Sequence, residues 1–61
     1  MNLQYTVVLP NVRTIKVTNS QYLPRIGERI VYDGICYVVE QVVHEIIGAY
    51  AYNAQVVVGL A

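Results

Sequence analysis

The sequence predicts an all-β fold, a small five-stranded barrel of the SH3-like or OB-like kind, with residues 1–61 as its single domain. Three observations predict it. Val, Ile and Thr supply 21 of the 61 residues and Tyr six more, whereas Ala and Leu together supply only eight. Branched and aromatic side chains fit a pleated surface better than a helix. Apolar and polar residues also alternate with a period of two in several short runs. Finally, Asp33-Gly34 sits between two β-branched and aromatic runs, the strongest short hairpin signal.

The first strand is "NLQYTVVL", with Leu3, Tyr5, Val7 and Leu9 on one face against Asn2, Gln4 and Thr6. Pro10-Asn11 makes a turn, because Pro fixes φ and Asn tolerates the position after it. "VRTIKVT" resumes the alternation, with Ile15 and Val17 opposed to Thr14, Lys16 and Thr18, so the two runs pair as a hairpin. Residues 19–27, "NSQYLPRIG", form a loop under which Leu23, Ile26 and Tyr22 tuck their apolar groups.

"RIVY-DG-ICYV" follows as a two-residue hairpin. Its register sets Tyr32 against Ile35, Val31 against Cys36 and Ile30 against Tyr37. Ile30, Tyr32, Ile35 and Tyr37 then share one face, and Val31, Cys36 and Val38 the other.

"VVEQVVHEII" carries two readings. Apolar pairs at 38/39, 42/43 and 46/47 fall within half a helical turn, and Gly48 suits a helix C′ position. This gives the alternative fold, β-hairpins plus one helix at about 38–47. The strand reading needs a bulge near Glu40-Gln41 or burial on both faces. Six of the ten residues are β-branched and no N-cap precedes Val38, which favours strand. Residues 48–53, "GAYAYN", connect to a last strand, "AQVVVGL", with Val56, Val58 and Leu60 on one face. Closure of the five strands would remove edges that so apolar a chain leaves open at its peril.

Composition bounds function next. Apolar residues make up 56% of the chain and charged residues 13%, about half the usual share. A domain this small has little interior, so apolar side chains are expected at an interface, in a homodimer or higher oligomer. The net charge of zero argues against duplex nucleic acid, which needs cations on many phosphates. The start "MNLQYTVVLPNVR" lacks the basic and apolar segments of a signal peptide, and no apolar run reaches membrane-spanning length. With a lone cysteine, the expected compartment is the cytoplasm. Cys36 and His44 are the only soft or imidazole ligands, so neither a metal nor another cofactor is expected.

Candidate chemistry is sparse. Cys36 and His44 fall on the same face by parity, yet eight residues of strand hold them roughly 26 Å apart. Direct activation of a thiol needs a hydrogen bond, so Cys36 reads as packing and no catalytic residue is assigned. His44, beside Glu45, reads as an interface histidine or a contact sensitive to pH. Arg25 and Arg29 flank Ile26-Gly27-Glu28, a loop that suits either solvation or an anion. Tyr22, Tyr50 and Tyr52 lie in or beside loops, where tyrosine anchors interfaces or stacks bases. The candidate binding residues are therefore Tyr22, Arg25, Arg29, His44, Tyr50 and Tyr52.

The run "LPRIGERIVYDGICYVVEQVVH" resembles short β-barrel proteins of bacteriophages and mobile elements. In these a Leu-Pro-x-x-Gly loop leads into a strand, a tight turn, an aromatic-plus-valine strand and then a Val-x-His. Leu23, Pro24, Gly27, Gly34, Tyr37, Val39, Val43 and His44 carry the likeness, over about a third of the chain. The resemblance implies a small β-barrel and a non-enzymatic accessory role.

The leading functional expectation is a non-enzymatic, self-associating barrel that binds a protein partner. A second is an oligomer that holds a small anionic or nucleotide ligand through Arg25, Arg29 and loop tyrosines. A third is single-stranded nucleic-acid binding on a Tyr-rich face.

Overall fold

A computed structural model describes residues 3–46, 48–49 and 52–61. Five strands run in the chain order β1 (Leu3–Val8), β2 (Thr14–Ser20), β3 (Arg29–Tyr32), β4 (Ile35–Ile46) and β5 (Tyr52–Leu60). They form one sheet in the spatial order β2-β1-β5-β4-β3. The described residues contain no helix, so the 38–47 segment is strand through Ile46, and Ile47 lies outside the described residues.

The sheet is strongly curled, a half-barrel compatible with a small barrel-like fold. Its concave face is the core: Tyr5, Val7, Leu9, Tyr37, Val39, Ala54, Val56 and Val58 are buried there. Ile15, Val17, Leu23, Ile30 and Val42 pack against them. Strands β2 and β3 are the two edges of the sheet, and the described residues form no ladder between them. Curling alone thus buries the core, without the closure that would abolish the edges.

The β1–β2 hairpin forms as the alternation predicts, with Val7 opposite Ile15 and Tyr5 opposite Val17. Its turn differs in detail. The Val12 N–H donates to the Leu9 carbonyl at 3.0 Å and the Leu9 N–H donates to the Arg13 carbonyl at 2.8 Å. This is a three-residue loop, whose last position takes a left-handed backbone. Val12 occupies it, at φ 65°.

The β3–β4 hairpin has the register read from Asp33-Gly34: Tyr32 pairs with Ile35, Val31 with Cys36 and Ile30 with Tyr37. Both turn residues have positive φ, 53° at Asp33 and 76° at Gly34, as a type I′ turn requires. Strand β4 then pairs with β5 along its length, with one irregularity between Val39 and Gln41. The extra residue is Glu40, so the expected bulge is there. Gly59 lies beside it, and a Cβ at that position would meet the Glu40 carboxylate at 2.6 Å.

Strand β5 starts at Tyr52, two residues before the expected boundary, and also pairs in parallel with β1. Val56 and Val58 are buried as predicted. Leu60 shares their face, opposite Tyr37, but lies exposed where the sheet ends.

The β2–β3 loop corrects one expectation. Leu23 does pack on the core, but Tyr22 and Ile26 are 75% and 69% exposed. The reason is a tight turn over Arg25–Glu28. The Glu28 N–H donates to the Arg25 carbonyl at 3.0 Å, and Gly27 sits at φ 93°. Ile26 occupies the outer corner of that turn and projects into solvent.

Candidate interaction surface

Two bulges decide which polar side chains reach the concave side. In β2, Ser20 pairs with Leu3 while Val17 pairs with Tyr5, so β2 carries one residue more than β1 across that step. The extra residue brings Ser20 onto the face of Ile15 and Val17. In β4, the Glu40 bulge does the same for His44, which pairs with the buried Ala54. A bulge shifts the inward and outward alternation by one residue.

This overturns the shared face assigned to Cys36 and His44. Cys36 lies before the bulge, opposite Val31 on the convex side. His44 lies after it, on the concave side. The two groups face away from each other within a chain.

Of the sequence-predicted binding residues, Tyr22, Arg25, Arg29 and His44 divide between two grooves along the β2–β3 loop. One, of about 390 Å³, is lined by Tyr5, Ser20, Tyr22, Pro24, Glu28, Arg29 and Ile30. The other, of about 640 Å³, is lined by Leu3, Leu23, Pro24, Arg25, Ile26, Val42 and His44. Pro24 borders both. Arg25 and Arg29 therefore serve different grooves and do not form one anion clamp. Between them, the Glu28 carboxylate accepts from the Arg25 N–H at 2.6 Å and fixes the turn.

Tyr52 stands beside His44. The rings stack at a centroid separation of 5.8 Å and an interplanar angle of 28°, and His44 Nδ1 shares a hydrogen bond with the Tyr52 hydroxyl. The β4–β5 register makes this contact: Tyr52 pairs with Ile46, one diagonal step from His44. The sequence named both residues but not the pair, because the connection length between strands was not legible. Tyr50 lies outside the described residues.

The convex face is a further surface, not among the binding residues expected from the sequence. There Val8 pairs with Val57, Gly59 with Val38, and Cys36 with Val31. Val8, Val57, Val38 and Cys36 are half-buried by their neighbours, and Val31 at the β3 end is 70% exposed. The result is a stripe of apolar residues across four strands that ends at an open edge, with the Glu40 carboxylate lying over Gly59 in its middle. The doublets of "VVEQVV" were its signal, since each places one valine inward and one outward.

Among the described residues no cluster of three or more His, Cys, Asp or Glu is placed to hold a metal. Among the described residues no helix is long and apolar enough to cross a membrane. No protein-family model, curated protein or solved structure matches the chain.

Proposed function

We propose that this chain is a non-enzymatic, self-associating β-half-barrel that binds a protein partner, an accessory factor of the phage type acting in the cytoplasm. The observation that carries this reading is the convex stripe of valines, Val8 and Val57 on one side of the Glu40 carboxylate and Val38 and Val31 on the other. A sheet whose concave face is already its core has no use for a second apolar face unless something covers it. On the concave side of the same hairpin Tyr32 and Ile35 are exposed as well, so this end of the sheet offers apolar side chains on both faces.

Size-exclusion chromatography with light scattering tests self-association directly. The expected mass is at least twice the 6.9 kDa of one chain at micromolar concentration. A mass of one chain overturns the reading. Affinity capture from host lysate with mass spectrometry then tests the protein partner, and recovery of the chain alone counts against one.

A second reading is favoured by one groove. Arg25 and His44 line it together with Leu3, Leu23, Ile26 and Val42, and no acid is among its described lining residues. That setting suits a small anion with an apolar body, a nucleotide among them. Thermal-shift measurements against mono-, di- and cyclic nucleotides test it. Stabilisation that Arg25→Ala removes supports it, and the absence of any stabilisation rejects it.

A further inference from the structure

We propose that two copies of this chain join edge to edge through β3, antiparallel about a twofold axis at Val31, so that two half-barrels share one continuous sheet. The proposal rests on the self-association reading above and places the contact at the open edge where the convex stripe ends, not over the stripe itself.

The backbone supplies the first argument. The Val39 N–H donates to the Glu28 carbonyl at 2.8 Å, which fixes the phase of the β3–β4 ladder. Hydrogen-bonded pairs alternate with non-bonded pairs in an antiparallel ladder. The bonded pairs are therefore Ile30 with Tyr37 and Tyr32 with Ile35, and at the start of the strand the Val39 carbonyl accepts from the Gly27 N–H because the Glu28 N–H is taken by Arg25. Arg29 and Val31 turn their N–H and C=O groups the other way, toward the open side of β3. These groups form the template that an edge strand offers to another chain.

The side chains supply the second argument. A twofold axis at Val31 sets each residue of β3 against a fixed residue of the second copy. Val31 meets its own counterpart, Ile30 meets Tyr32, and Arg29 meets Asp33. Arg29 and Val31 lie on the convex side and Asp33 follows directly in the turn, so the axis carries an apolar contact with an Arg and an Asp of opposite charge brought to each end of it. On the concave side Ile30 and Tyr32 make an aliphatic–aromatic pair twice over. Every cross-strand neighbour is of a favourable kind. The interface is isologous and closes on itself, which limits the assembly to a dimer.

Asp33 thereby acquires a second role. Its left-handed turn needs Asp, Asn or Gly, but only Asp brings the charge that Arg29 of a second copy requires.

The test uses the full chain in sedimentation velocity, native mass spectrometry and amide hydrogen exchange. The wild type is expected to be a dimer in which the Val31 amide exchanges slowly. Dilution below the dissociation constant should release that amide, while the Ile30 and Tyr32 amides, bonded within the chain, stay protected. Arg29→Asp should weaken the dimer roughly tenfold or more, since it converts two attractive pairs into two repulsive ones. Asp33→Asn keeps the turn and should weaken it less. Arg29→Asp mixed with Asp33→Lys should form a heterodimer in preference to either homodimer, because each introduced charge then meets an opposite one.

Two results overturn the proposal in different ways. A wild-type dimer with a fast-exchanging Val31 amide, or one indifferent to Arg29→Asp, leaves self-association standing and moves it off this edge. A wild-type monomer at hundreds of micromolar removes both.

Discussion

The two edge hairpins of this sheet share an architecture and differ in how they treat the open side. Strand β2, "TIKVTNS", exposes Thr14, Lys16 and Thr18 on its convex side, with the lysine at the centre. Strand β3, "RIVY", exposes Val31 at its centre, with Arg29 before it and Asp33 just after. A central lysine is a common guard against unwanted strand pairing, because pairing would desolvate or oppose it. No acid lies within β2 to neutralise Lys16 in a second copy. The two edges show that an open sheet need not protect both sides alike. One edge is guarded, and the other is arranged to fit itself.

Exchanging the central residues breaks the contrast most severely. Val31→Lys gives β3 the guard that β2 carries and sets two lysines face to face at the proposed axis. The dimer should weaken on the order of a hundredfold, read by sedimentation velocity. Unchanged association would show that β3 is not the contact. The reverse exchange, Lys16→Val, removes the guard from β2. A second adhesive edge permits head-to-tail contacts that do not close, so light scattering should report species larger than a dimer that grow with concentration. A variant that stays at the wild-type mass would show that Lys16 guards nothing.

The same contrast explains how much was legible in advance. The β3–β4 register was readable residue by residue because a two-residue turn leaves one register only. The bulge was readable because "VVEQVV" cannot alternate without an extra residue, and Glu40 is that residue. Its consequence for His44 is hidden, because the alternation alone does not say where the extra residue falls. Parity counted straight through the bulge puts His44 on the face of Cys36, whereas the extra residue turns it to the other face. The parallel β1–β5 pairing was likewise invisible, because nothing local ties Tyr5 to Ala54. The two arginines were grouped by sequence proximity, whereas the turn over Arg25–Glu28 sends them into separate grooves. Local chemistry was thus written in the sequence, and long-range placement was not.

The turns sharpen the comparison further. Gly34 at φ 76° has open space where a Cβ would lie, so its cost on substitution is conformational alone. Gly34→Ala should lower stability by about 1 kcal/mol, measured by urea unfolding. No loss would mean that the turn had relaxed to another type, and the Ile30–Tyr37 register should then shift in cross-strand contacts read by NMR.

The smallest effect should come from the opposite hairpin, and it should run the other way. Val12 holds a left-handed backbone at φ 65° with its side chain 82% exposed. A branched side chain there costs on the order of 1–2 kcal/mol relative to a residue that tolerates the conformation, and an exposed valine recovers little of it by packing. The three-residue loop keeps its geometry because Pro10 sets φ at the first position and the Asn11 carboxamide oxygen accepts from the Arg13 N–H at 3.1 Å. Val12→Asn relieves the strain without the added chain freedom of glycine in the unfolded state. It should therefore raise stability by about 0.5–1 kcal/mol in urea unfolding at fixed protein concentration. Because β2 is the guarded edge, the gain should appear without any change in dimer dissociation. A coupled change in both would show that the two edges communicate through β1 and β5, and that the sheet responds as one curled spring and not as two independent hairpins.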